Sequence, residues 1–263
     1  DEAAARGWAA EWPEPARRLA QAFWPGPLTL IVPRRPDRGC AAAGGQASIG
    51  LRCPSHPAAQ ALLRLAAAVG IDGIAAPSAN RFGRVSPTRA AHVRDEFPDG
   101  LLVLDGGDCP EGIESAIVDL STPVPLARRP GSLGRGRIEA ILGRPLGLAG
   151  AGAPRASGDL DSHYAPTARV ELWPAAELAE ALRVEPASAT LAVYSRRDAD
   201  PGRSVHQRRM PDDPAAAAHE LFAVLRELDA PGVQCIRVEA PPVDDPAWDG
   251  VRDRLQRAAA PRL

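Results

Sequence analysis

Apolar residues recur along this chain with two periods, and the order of the two kinds of segment suggests a fold. Leu19 and Phe23, four apart near the end of the stretch Arg17 to Phe23, share one face of a helix. "WPGP" breaks that helix, and "LTLIV" (Leu28 to Val32) reads as a short strand. A loose Gly/Ala segment leads to "ASIGLRCP", a second strand ending at Pro54. Ser55 is placed to cap a helix from about His56, with Leu62, Leu65, Ala66 and Val69 as its apolar stripe and Gly70 at its close. "GIAAP" reads as a third strand and runs into the loop "PSANRFGRVSPT". Thr88 or Ser86 caps a short helix through Val93; "LLVLDGG", "SAIVDLS" and "VPLARRPG" are further strands, and "GRIEAIL" is a small helix. Several strands follow one another without a helix between them. That predicts an α/β fold built on a mixed sheet with packed helices, not a regular βαβ repeat.

From Gly147 to Gly158 the text "GLAGAGAPRASG" cannot build a core and reads as a linker. Beyond "SHYAP", the strands "ARVELW", "TLAVYS" and "QCIRVEA" alternate with the helices "AAELAEAL", "AAAAHELFAVLREL" and "AWDGVRDRLQRAA". Alternation of this kind predicts a small parallel α/β, Rossmann-like domain. It carries neither GxGxxG nor a P-loop, so no nucleotide site of its own is indicated. The expected organisation is a catalytic domain over 1–146, a linker over 147–166 and a C-terminal domain over 167–263.

Composition changes this picture little. The 263 residues are 45% hydrophobic and 24% charged, with a net charge of -2, which gives no global pull toward a nucleic acid or a membrane. All 31 basic residues are Arg, a sign of coding bias in a chain so rich in Ala, Gly and Pro. Cys40, Cys53, Cys109 and Cys235 form no CxxC pair, and the five His are scattered, unlike a structural zinc site. With no secretion signal and no long apolar run, reduced thiols in the cytoplasm are the expectation. The chain begins without Met; a processed start, a trimmed chain or an incomplete gene model would each explain that.

Candidate chemistry lies in the connections. The loop "PSANRFGRVSPT" offers Ser78, Asn80, Ser86 and Thr88 as donors, with Gly83 permitting close backbone approach, ahead of a helix N-terminus. That set suits phosphate oxygens, and it equally describes an ordinary Ser/Asn turn. Arg52 ends a strand, where α/β crevices open, and could grip a carboxylate or phosphate; it could also be a surface arginine. Arg128 and Arg129 precede a Pro-Gly turn, and on a regular strand only one of them can face a given site. Ser115 starts a strand. Asp105 and Asp108 read as turn formers rather than metal ligands. There is no GxSxG elbow and no triad spacing. His163 and Tyr164 end the linker; the tyrosine could stack on a base or be the first docked residue of the second domain.

Taken together, "FWPGPLTLIV", "SIGLRCP", "APSANRFGRVSPT", "ESAIVDL" and "LARRPGS", in this order and spacing, resemble the YrdC-like family of threonylcarbamoyl-AMP synthases. "SHYAP" followed by a small α/β domain is similar to its longer, two-domain members. The resemblance implies a YrdC-like mixed twisted sheet and a reaction of ATP, L-threonine and bicarbonate, giving threonylcarbamoyl-AMP and pyrophosphate, with Mg²⁺ accompanying ATP. A downstream tRNA threonylcarbamoyltransferase would then modify tRNA. It implies ATP contacts at Ser48, Ser78, Asn80, Ser86, Arg129 and Tyr164, the last as an aromatic closing over the nucleotide. It implies threonine contacts at Arg52, Ser115 and the backbone around Ala76.

Two departures stand out. The family usually has "ESTVVD" where this chain has "ESAIVD", so a hydroxyl is lost at Ala116. Its members also begin with a Thr-rich strand and a Lys-x-Arg motif that contacts ATP; this chain starts after that point and has no Lys, so part of the cleft is expected to be absent. Two alternatives stay open: a carbamoyl-adenylate-handling domain of a carbamoyltransferase, and a non-catalytic module contacting tRNA or double-stranded RNA through Arg81, Arg84, Arg89 and Arg94.

Overall fold

The computed structural model describes residues 1–98, 100–148, 150, 162–184, 188–197 and 204–261. In chain order, α1 (Glu2–Arg6), α2 (Glu14–Phe23), β1 (Leu28–Pro33), β2 (Ser48–Leu51), α3 (Pro57–Ala68), α4 (Ala90–Glu96), β3 (Ala116–Asp119), β4 (Leu126–Arg129), α5 (Arg135–Leu142) and β5 (Gly147–Leu148) come first. They are followed by β6 (Arg169–Trp173), α6 (Ala175–Val184), β7 (Ser188–Ser195), β8 (Ser204–Arg209), α7 (Pro214–Leu228), β9 (Cys235–Glu239), a 3₁₀ turn (Pro246–Trp248) and α8 (Asp249–Ala259). The chain divides into two compact units, Asp1–Pro77 with Glu114–Asp159, and Ser78–Ile113 with Leu160–Leu263. Among the described residues no helix is long and apolar enough to cross a membrane.

The first unit holds a mixed sheet in the order β2-β1-β3-β4-β5, antiparallel at β2–β1 and β3–β4 and parallel at β1–β3 and β4–β5. Alternation along β1 sends Leu28, Leu30 and Val32 to one face, where they pack with Leu19 and Ala16 of α2 and Ile138 and Leu142 of α5. Thr29, Ile31 and Pro33 therefore look to the other face. The second unit holds the parallel sheet β6-β9-β7-β8. Its core gathers Phe222, Leu221 and Leu225 of α7, Ile236 and Val238 of β9, and Leu255 of α8. The expected fold class, a mixed sheet plus a small parallel α/β domain, is the one observed.

Several local readings are corrected. His56, not Ser55, caps α3, its Nδ1 accepting from the Ala58 amide at 3.2 Å. Only Ala66 of the expected stripe on α3 is buried; Leu65 and Val69 are 70% and 74% exposed. Neither "GIAAP" nor "LLVLDGG" forms a strand, because no other described strand takes up their backbone groups. Arg89, not Thr88 or Ser86, is the cap residue of α4, and it makes no side-chain capping bond. Sequence periodicity also passed over β8, "SVHQRR", an edge strand whose polar residues hide its period. Of the expected linker, residues 149 and 151–161 lie outside the described residues, while Gly147 and Leu148 form β5 beside β4.

Segment 78–113 belongs with the C-terminal unit for a physical reason: Val85 and Ile113 join its core. Gly112, in the left-handed region at φ 73°, lies so close to α7 that a Cβ there would fall 2.1 Å from the His219 carbonyl oxygen.

Candidate functional site

In the first unit the register of the sheet gathers most of the expected residues on one face. Ser48 stands opposite Pro33 and Gly50 opposite Ile31, so Ser48, Gly50 and, two residues on, Arg52 share the face of Thr29. Thr29 in turn is opposite Ile117, and its hydroxyl lies 2.8 Å from the Ser115 Oγ. Arg129 completes this group: its Nε donates to the Ser115 carbonyl at 3.1 Å and its Nη2 to the Ser115 hydroxyl at 3.4 Å. Arg52 is exposed, and its Nε donates to the Gly26 carbonyl at 3.0 Å, which fixes the start of the side chain's fork. Ala76 is exposed in an irregular segment.

A β-bulge separates the two adjacent arginines. Ile117 pairs with Arg129 and the next residue, Val118, with Ala127, so Arg128 has no counterpart on β3. Arg128 lies 3.7 Å from Asp119, both side chains buried, while Arg129 serves Ser115. Gly131 in the following turn comes so close that its own Cβ would lie 2.2 Å from the Ala116 nitrogen. Sequence reading missed Thr29. Nothing in the strand's own pattern marks it, since the apolar Ile31 and Pro33 share its face.

In the second unit, Asn80 is the organiser of the loop. Its Nδ2 donates to the carbonyls of Arg81 at 2.8 Å and Arg84 at 3.1 Å, which fixes the orientation of the amide and leaves Oδ1 buried with no donor among the described residues. Ala79 and Gly83 both adopt left-handed backbone, φ 57° and 76°. Ser78 is exposed and Ser86 is buried. Tyr164 is 0% exposed, its ring 5.2 Å from Phe222 and 5.5 Å from the Arg254 guanidinium. In this structure the ring sits docked in the core of the second unit.

The four arginines around the loop are locally engaged. Arg84 meets Asp229 at 3.2 Å, Arg89 meets Asp108 at 3.0 Å, Arg94 meets Asp105 at 3.5 Å, and Arg81 donates to the Glu96 carbonyl. Asp105 also accepts from the Gly107 amide, as a turn former does. Such pairing offsets the basic character of the group. His92 ties the loop's end to α4, its Nδ1 accepting from the Thr88 amide at 3.2 Å. Burial first, then the nearby Arg226 and Arg89, hold its pKa below the ordinary histidine range, against the weaker pull of Asp95 and Asp108.

A neutral His92 therefore favours the fold. Its folded pKa is depressed, so this contribution is fully present above about pH 6.5 and is lost as pH falls through the folded value. Replacing His92→Gln is expected to flatten the acid limb of stability below that pH, measured as urea midpoints from pH 7.5 to 5.0. An unchanged slope would contradict it.

Comparison with known proteins agrees with this architecture. Residues 1–131 match the Sua5/YciO/YrdC family model, described as telomere recombination, and residues 134–260 match that of the threonylcarbamoyl-AMP synthase C-terminal domain. A threonylcarbamoyl-AMP synthase of Pyrococcus abyssi is 31% identical over 266 residues, 97% of this chain and 76% of the relative. The chain belongs to the threonylcarbamoyl-AMP synthase family. A second synthase, from Bacillus subtilis, is 40% identical over 164 residues, 59% of this chain and 46% of that relative. The crystal structure of P. abyssi Sua5 complexed with L-threonine superposes with a TM-score of 0.83 at 31% identity, covering 96% of this chain and 76% of that one.

Set against the family, four of the five expected positions of the first unit, Ser48, Arg52, Ser115 and Arg129, share one face of its sheet, with Ser115 and Arg129 in direct contact. The lost hydroxyl at position 116 sits on the opposite face, since Ala116 packs in the core with Leu28 and Leu30. For a synthase of this family, the substitution there touches packing rather than the polar face.

Proposed function

We propose that this chain makes threonylcarbamoyl-AMP from L-threonine, bicarbonate and ATP, releasing pyrophosphate, for transfer to tRNA by a separate enzyme. The observation that carries the reading is the one sheet face shared by Ser48, Arg52, Ser115 and Arg129, in a chain of this family. The threonine amine and bicarbonate condense to a carbamate with loss of water. A carbamate oxygen then forms a bond to the α-phosphorus as the bond to pyrophosphate breaks. Neither step calls for an enzyme nucleophile; both need charge neutralised and reactants aligned.

The residue roles follow from charge and reach. Arg52 supplies a planar fork for the threonine carboxylate, oriented by its bond to Gly26. Arg129, with the hydroxyls of Ser115 and Thr29 beside it, supplies positive charge and donors to the reacting oxygens. Ser48, Ser78 and Ser86 suit phosphate or ribose oxygens, and the Asn80 Oδ1 is an acceptor suited to a ribose hydroxyl or the adenine amine. Among the described residues no group of three or more His, Cys, Asp or Glu could hold a metal ion, so Mg²⁺ would arrive on the triphosphate and be completed by water. Tyr164 could act on a nucleotide only after leaving its core.

Mass-spectrometric detection of threonylcarbamoyl-AMP after incubation with ATP, Mg²⁺, bicarbonate and L-threonine tests the reading. Product that does not depend on threonine would favour carbamoyl transfer instead. Arg52→Ala is expected to weaken threonine binding ten- to a hundredfold, about 1.5–3 kcal/mol. Unchanged affinity, measured by calorimetry, would remove Arg52 from the site.

A further inference from the structure

The end of α7 grips the loop that carries the nucleotide-directed residues. Arg226, in the last turn of α7, donates through Nη2 to the Val85 carbonyl and, at 2.9 Å, to Glu96 Oε1, and through Nε to the Ser86 carbonyl at 3.3 Å. Glu96 closes the other side of the same loop, Oε2 accepting from the Arg81 amide at 3.3 Å. The Arg226 and Glu96 side chains are only 17% and 10% exposed, so this ion pair works in a partly desolvated setting. Three residues on, Asp229 accepts from Arg84 at 3.2 Å and from the Thr167 and Ala168 amides at 2.7 and 2.8 Å. The Ala165 amide donates to the Gly83 carbonyl at 2.9 Å. One helix end thus fixes the backbone of 83–86 and of the chain just after Tyr164.

We infer that Arg226 of the C-terminal α/β domain is a positioning residue for ATP: it sets the backbone of Val85 and Ser86 and so presents the Ser78–Ser86 loop to the nucleotide. The inference rests on the proposed reading of that loop as an ATP contact. It gives the C-terminal domain a part in the synthase reaction other than tethering the linker. Arginine is needed because only its fork spans a carboxylate and two carbonyls at once; a lysine keeps the charge for Glu96 but cannot hold both carbonyls. Supporting bonds of this kind matter because a displacement of about 1 Å in a reactant's contacts can cost a hundredfold in rate.

The test compares the full chain with Arg226→Lys and, should that variant unfold, with Glu96→Gln, which releases only the carboxylate arm. Hydrogen exchange of the amides of 82–86 and 88 and separate dissociation constants for ATP and L-threonine are measured. The expected result is faster exchange at these amides, an ATP affinity reduced about five- to twentyfold, and a threonine affinity within twofold of the parent. A merely structural role would weaken both ligands together or neither. Faster exchange with unchanged ATP affinity would overturn the inference while leaving the synthase reading intact. A parent chain that binds threonine but no ATP would overturn both, and the failure would then lie with the reading of the loop.

Discussion

Gly131→Ala is expected to destabilise the first unit by about 3 kcal/mol and to weaken threonine binding, because the new methyl would collide with backbone that no side-chain rotation can move. A Cβ at this position would lie 2.2 Å from the Ala116 nitrogen and 2.7 Å from the Ser115 carbonyl carbon. The Ala116 amide donates to the Pro27 carbonyl at 3.0 Å, the bond that begins the β1–β3 pairing, and the Ser115 carbonyl accepts from Arg129. Relief of the clash therefore has to come from one of these two interactions. Gly134, three residues later, is the control. A Cβ there meets nothing within 4 Å, so Gly134→Ala should cost within about 1 kcal/mol as a weakened helix cap. Urea midpoints of both variants, with calorimetric threonine affinities, check the contrast. Equal midpoints for the two would contradict the close approach at Gly131.

That contrast also marks how far the sequence could be read. The strand "LTLIV" and the two sheet classes were legible because alternation and helical period are properties of the text itself. The bulge at Arg128 was not. On a regular strand Arg128 and Arg129 oppose each other, and only the register slip against β3 decides which residue reaches Ser115 and which is drawn to Asp119. Thr29 was invisible for a similar reason: nothing in the text says that β1 lies beside β3, 86 residues away from Thr29 to Ser115. "GIAAP" and "LLVLDGG" carry strand residues yet form none, since β-propensity describes a half-buried pleated surface that a neighbour must supply. The arginines of the loop read as a basic group until the acids that pair with them, Asp105, Asp108 and Asp229, came within reach.

Tyr164→Ala is expected to cost the second unit about 3–5 kcal/mol, the usual range for deleting a fully buried aromatic ring. The ring touches Phe222 and stands edge-on to His163 at 4.1 Å, with the Arg254 guanidinium over it, and none of it is exposed. Its backbone adds a second, opposite effect. Tyr164 has φ 60°, the left-handed region that disfavours side chains by about 1–2 kcal/mol. Tyr164→Gly removes the same ring but relieves that strain, so glycine should be the milder substitution by about 1 kcal/mol, reversing the order found in ordinary core positions. Urea unfolding of the two variants reads this directly, and alanine milder than glycine would contradict the left-handed conformation. ATP affinity, measured where each variant is still folded, separates the two roles of the residue. Equal affinity in parent and variants makes Tyr164 a packing residue alone. A loss of tenfold or more in folded protein requires that the ring leave its place between Phe222 and Arg254 to meet the nucleotide.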